Sequence, residues 1–235
     1  MEISSKSEKF ATPAALLIGA VLIGGAILWS NAHPTVTKTT SAPQAPSTAI
    51  AVDARKVKSV GEPYIGNANA PITIAYWFDY QCPFCKQNEE SVMPDVVKNY
   101  VDSGKVKIVF KDFEFLGADS QSIGQFARAV WAVAPDKFYV WHKAIFQNQG
   151  RENTGWATQA KIVAISKTVL GDSLTTKALQ DVMANATTYQ KEMDADKAEG
   201  SSLGVQGTPA FIIGKQFVSG AQPYAQIEAA ITAAK

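Results

Sequence analysis

The feature that most constrains this chain is an apolar run that hands over to a pair of cysteines. Ile72-Thr73-Ile74-Ala75-Tyr76-Trp77-Phe78 is β-branched and aromatic, as a strand buried on both faces should be. Asp79-Tyr80-Gln81 leads on to Cys82-Pro83-Phe84-Cys85, and the segment after Cys85 is polar and helix-compatible. Pro83 suits the first turn of a helix, where its missing N–H removes no intrahelical bond. The two sulfurs therefore fall where a strand gives way to a helix, which points to an α/β fold with a redox pair at the junction.

The chemistry needs that position. A thiolate is the nucleophile in disulfide exchange, and a free cysteine near pKa ~8.5 is mostly protonated at neutral pH. Unpaired N–H groups and the positive end of the helix macrodipole favour the charged sulfur of Cys82. Lowering its pKa by roughly 2–5 units corresponds to about 3–7 kcal/mol of preference for the thiolate. Cys82 is then the attacking thiol and Cys85, one turn further in, the resolving thiol. A structural disulfide and half of a zinc site are the alternatives. Zinc needs about four ligands, and the only histidines, His33 and His142, show no ligand spacing, so no metal is expected.

Composition narrows the function further. Two cysteines in 235 residues make one pair at most, so disulfides do not staple the fold. Hydrophobic content of 46% supports a real core, and 18% charge with a net +1 gives no electrostatic case for nucleic acid.

The N-terminus points to a membrane. Lys6 and Lys9 precede a stretch without a formal charge until Lys38, and residues 10–29 make a 20-residue apolar segment bounded by Phe10 and Trp29. As a helix it would span about 30 Å, one bilayer core. The basic residues ahead of it keep its start in the cytoplasm, and the aromatics sit where membrane interfaces favour them. A retained anchor and a cleaved signal peptide ending at Ser30-Asn31-Ala32 are both open; the run exceeds the usual signal core of about 7–15 residues, which favours the anchor. Either puts the cysteines outside the cytoplasm. Residues 1–32 thus read as a cytoplasmic stub with a signal-anchor or signal peptide, 33–53 as a Pro/Thr/Ser-rich linker, and 54–235 as the redox domain.

Within that domain, residues 54–60 are expected to form a short edge strand, and Gly66 to Pro71 a turn into the central strand. The helix after Cys85 should reach about Val101, kinked by Pro94 and closed at Asp102-Ser103-Gly104. Glu89 and Glu90 read as its solvated face. Residues 105–111 alternate like a half-buried strand, reached by a right-handed parallel crossover. From about 117 to 203 the patterning is helical only, with segments near 120–133, 136–147, 158–170 and 175–200. Trp131, Phe138, Trp141, Phe146 and Trp156 would be the core of this insertion, His142 a packing histidine among them, and residues 191–197 an exposed face. Residues 210–213 and 216–219 read as a hairpin turning at Gly214-Lys215, followed by a closing helix from Pro223 to about Ala234.

A second signature, Val205-Gln206-Gly207-Thr208-Pro209, stands directly ahead of that hairpin, where proline marks an edge or a special turn. With the Phe78-Asp79-Tyr80-Gln81 lead-in, the Cys82–Cys85 motif, Gly207-Thr208-Pro209 about 125 residues later, and Ala210 to Gly214 after it, the chain resembles the DsbA-like thiol-disulfide oxidoreductases over residues 57–235. The resemblance implies a thioredoxin-like fold with a large all-helical insertion and chemistry without a cofactor. It implies a cis Pro209 lying against the dithiol, with Thr208 presenting its backbone to an extended substrate, and Pro83 and Phe84 supporting the site. It also implies reduced, newly exported proteins as substrates and a membrane quinone-linked partner for reoxidation. An isomerase or reductase on the same fold, and a non-catalytic chaperone or binding module, are the rival readings. Two positions depart from the family: Tyr76 stands where a buried acid is common, so its role is unfilled or passes to water or Asp79, and Phe84 replaces a histidine.

Overall fold

The computed structural model describes residues 51–234. The apolar segment 10–29, the small-residue motif at 30–32 and the linker up to residue 50 lie outside the described residues. Among the described residues no helix is long and apolar enough to cross a membrane.

Five strands form one sheet in the order β1-β3-β2-β4-β5: β1 Tyr64–Ile65, β2 Ile72–Phe78, β3 Val106–Asp112, β4 Ala210–Ile213 and β5 Gln216–Ser219. β2 and β3 run parallel, from Ile72 opposite Val106 to Phe78 opposite Asp112, and every other pairing is antiparallel. Gly66 makes the turn into β2 at φ +94°, where a Cβ would stand 2.5 Å from the Val106 carbonyl. The expected strand over 54–60 does not form. Asp53 accepts from the Arg55 amide at 3.0 Å and closes a single 3-10 turn, Ala54–Lys56. The edge place goes to Tyr64–Ile65, beside which the Pro63 carbonyl takes the Phe110 amide at 2.8 Å.

Helix α1 (Pro83–Ser91) stops at Val92, whose φ of −117° starts α2 (Met93–Val96) with Pro94 in its first turn. A wider π turn, Val97–Val101, leads to Gly104 at φ +73°. The insertion holds α3 (Ala118–Val133), α4 (Phe138–Gln147) and α5 (Gln159–Ser202), the last broken at Gly171 (φ 76°, ψ 172°). Helix α6 (Tyr224–Ala233) closes the domain.

The period of two along β2 sends its side chains to two cores. Ile74, Tyr76 and Phe78 join Ile108, Phe110 and Phe211 under the helices, while Ala75 and Trp77 pack with Ala54, Val57, Val205 and Ile212 on the other face. Two charged assignments change with this packing, and a third buried ionisable side chain joins them. β3 is not half-buried: Lys111 is fully enclosed and pairs with Asp196, Glu62 (3.5 Å) and Glu199 (3.1 Å). Residues 191–197 are not simply an exposed face, because Met193 and Asp196 are buried. Arg128, also buried, binds Glu62 at 2.8 Å and Asp112 at 2.7 Å and meets Asp196. Each of these ionisable side chains is internal because its partners arrive from distant elements.

Candidate active site

The turn between β2 and α1 is held by side chains from three directions. The Asp79 carboxylate accepts from the amides of Gln81 (2.7 Å), Phe115 (2.9 Å) and Leu116 (3.0 Å) and from the Ser120 hydroxyl (2.6 Å). Gln81 donates to the Leu116 carbonyl at 2.7 Å and to the Ser120 oxygen at 3.0 Å, and accepts from the Asn153 amide at 2.8 Å. Gln149 donates to the carbonyls of Tyr80 (2.8 Å) and Cys82 (3.1 Å). Asp79, one candidate for the buried acid's role, is thereby committed to shaping the turn. Nothing local in the sequence marks Gln149, which comes from just beyond the end of α4.

Cys82 is the N-cap of α1 with Pro83 at the first helical position, and no side chain caps the helix. The orphan N–H groups are left for the sulfur. Both cysteines are buried free thiols, Cys82 at 4% exposure and Cys85 at 0%. Phe84 projects from the same turn, 60% exposed, next to the exposed Pro83. From the opposite side, the Thr208 carbonyl stands 3.3 Å from the Cys82 sulfur, and the Thr208–Pro209 bond is cis. The structure thus brings together all six residues singled out in sequence, across 126 positions between Cys82 and Thr208.

The two thiols are strongly unequal. Cys82 is lowered from an ordinary 9.0 to about 6, first by hydrogen bonding from the Cys85 thiol, with Thr208 and the amides of Cys85 and Phe84 adding to it against the opposing effect of burial. Burial, and then Cys82 itself, push Cys85 well above its ordinary value. At neutral pH the Cys82 thiolate outnumbers its thiol by about ten to one. Such a pair can accept a substrate disulfide or, when oxidised, surrender its own.

Behind Cys85, the position of the missing acid is filled by fully buried Tyr76, with Asn88 beside it; among the described residues the phenol and both Asn88 amide atoms have no hydrogen-bond partner. Burial raises the Tyr76 phenol well above its ordinary range, so the group stays neutral. Glu89 corrects the sequence reading: it is 3% exposed and faces the interior, whereas Glu90 is solvated as expected.

This fold and this dithiol define a thiol–disulfide oxidoreductase. A thioredoxin family model matches residues 58–233, and the chain belongs to that family. Disulfide bond formation protein D of Bacillus subtilis is 25% identical over 174 residues, covering 73% of this chain and 76% of that one. The probable disulfide bond formation protein D of Bacillus cereus is 28% identical, covering 63% and 68%. Among solved structures, oxidised BdbD from Bacillus subtilis superposes with a TM-score of 0.70 at 23% identity, over 79% of this chain and 97% of its own. The thiol-disulfide exchange protein alpha-DsbA2 from Wolbachia pipientis gives 0.64 at 25% identity, over 74% and 87%.

Proposed function

We propose that this chain is an extracytoplasmic oxidase, tethered through residues 10–29, that donates the Cys82–Cys85 disulfide to reduced exported proteins. The observation that carries this reading is the inequality of the thiols. A thiolate held at Cys82 stabilises the reduced pair, and a couple whose reduced form is stabilised is a strong oxidant. The names of the Bacillus relatives, disulfide bond formation protein D, agree with that direction.

In the forward reaction a substrate thiolate attacks the Cys82 sulfur of the disulfide, and the Cys82–Cys85 bond breaks. The electron pair leaves on Cys85, which takes up a proton because its buried thiolate is disfavoured. Thr208 holds the extended substrate beside Cys82 with its backbone, and Pro83 and Phe84 frame the approach. A second substrate thiolate then attacks the substrate sulfur of the mixed disulfide. Cys82 leaves as the thiolate that the helix terminus stabilises, and the substrate departs with a new disulfide. The reduced pair returns two electrons to a membrane partner linked to quinone, which restores the starting state.

Equilibration against glutathione tests the direction. An oxidase is expected well above about −200 mV, whereas a value near −270 mV, the thioredoxin range, would assign the chain to reduction. Run beside it, oxidation of a reduced substrate should outpace refolding of a scrambled one, and Cys82→Ser should abolish both. A Cys82→Ser protein that kept full function would mark a non-catalytic binding module instead.

A further inference from the structure

Beneath the dithiol lies a buried polar chain that the exchange reaction as written does not use. His142, on α4, is fully enclosed by the rings of Phe78, Tyr80, Phe110, Phe138, Tyr139 and Phe146, with centroids between 4.8 and 6.0 Å. Its Nδ1 lies 2.9 Å from the Tyr80 hydroxyl, and its Nε2 lies 3.3 Å from Glu89 Oε1, close but off the axis of a linear hydrogen bond. Among the described residues, the remaining Glu89 oxygen takes the Tyr139 hydroxyl, at 3.5 Å. If Tyr80 donates to Nδ1, the ring proton sits on Nε2 and faces the carboxylate.

The placement matters more than the contacts. Tyr80 is two residues before Cys82, and Glu89 is one helical turn beyond Cys85 on the same buried face of α1. His142 therefore spans the active-site motif from below, joining the chain that enters it to the helix that leaves it. A carboxylate in an aromatic core is costly unless a positive or donating group compensates it; among the described residues His142 and Tyr139 bring polar atoms within 3.5 Å of Glu89, and Lys143 lines the same cleft. Glu89 and both sulfurs raise the same buried Tyr76 phenol, so all three lie around one group in the core.

The geometry points to His142 as a positioning residue of the dithiol: by compensating Glu89 it keeps a negative charge beneath the sulfurs from opposing the Cys82 thiolate. This rests on the reading of Cys82–Cys85 as an exchanging pair. Removing the imidazole and keeping the carboxylate should raise the Cys82 pKa and make the protein a weaker oxidant. Removing the carboxylate should do the reverse.

The test uses the full chain and three variants, His142→Phe, Glu89→Gln and the double variant His142→Phe/Glu89→Leu, each with a native near-UV spectrum. Two quantities are read, the equilibrium constant with glutathione and the Cys82 pKa from thiolate absorbance. His142→Phe should shift the equilibrium at least tenfold toward the disulfide, about 30 mV for this couple. The double variant should recover most of that shift. Glu89→Gln, isosteric and the arbiter if His142→Phe does not fold, should move the equilibrium toward the dithiol. Variants that all stay within twofold of the parent overturn the proposal and leave His142 as packing alone. A parent chain that shows no exchange with glutathione overturns the oxidoreductase reading itself, a different outcome.

Discussion

The sulfurs of Cys82 and Cys85 divide two protons unequally, and that inequality has a measurable signature. Cys82 titrates at about 6, while Cys85 keeps its proton far above neutrality. Below about pH 6 the reduced pair holds two protons; above it, one. Each proton carried with two electrons contributes about 30 mV per pH unit. The reduction potential should therefore fall by about 59 mV per unit below pH 6 and by about 30 mV per unit above it. Measurement against glutathione from pH 5 to 9 checks this, and an unbroken slope across that range would return Cys82 to an ordinary thiol. Tyr76 sharpens the expectation, since the neutral phenol behind Cys85 adds no inflection of its own where a carboxyl would.

At the scale of elements, α1 is aimed by its neighbours as much as by its own sequence. The C-terminal turns of α5 lie against the far face of the sheet, where the Trp77 indole donates to the Asp196 carbonyl at 3.1 Å. Gly200 makes this approach possible: a Cβ there would sit 2.6 Å from Trp77 Nε1 and 2.9 Å from Cδ1, against a rigid and fully buried ring. Gly200→Ala gains helix propensity but overpacks the contact, and the net expectation is a loss of about 1–2 kcal/mol. Urea unfolding measures it, and a stabilised variant would show that α5 can back away from β2. The locations of the helices were legible beforehand from periodicity and, for the kink after the dithiol, from Pro94. Their contacts were not, because no local pattern says which turn of a long helix will meet Trp77.

Across the whole molecule, three buried carboxyls (Glu62, Asp112 and Asp196) face two buried cations, Lys111 and Arg128. One negative charge is in excess, and holding a proton relieves it. Burial, the largest cause, pushes Asp196 up to about 7 and raises Asp112, and it raises nearby Glu114 well above its ordinary value. Glu62 goes the other way: burial raises it, but Arg128 and Lys111 together bring it below the ordinary carboxylate value. A carboxyl with a raised folded pKa contributes stability that is complete below about pH 4 and is lost as pH rises through its folded value. With Cys82 and Cys85 joined as the disulfide, so that the lowered Cys82 thiol adds no opposing gain, the domain should thus lose about 2 kcal/mol between pH 5 and 8, roughly 4–8 °C in Tm at this size. Asp196→Asn should flatten the dependence. Thermal melts across that range decide it, and a Tm that climbs from pH 5 to 8 would count against a shared proton.

The sequence by itself determined the chemistry and most of the scaffold of this protein. The Cys82–Cys85 pair at a strand–helix junction, the hairpin around Gly214-Lys215 and the helical insertion are set by short-range physics: side-chain period, turn residues and the orphan amides of a helix start. Gly207-Thr208-Pro209 was legible through family resemblance. The tertiary structure alone decided what surrounds the dithiol. Glu89, Lys111 and Asp196 are ionisable side chains that sequence reading assigns to solvent-facing positions, and Arg128, Gln149 and His142 show no local mark of the contacts they make. Their burial depends on partners tens of residues away, which only the folded chain brings within hydrogen-bonding distance.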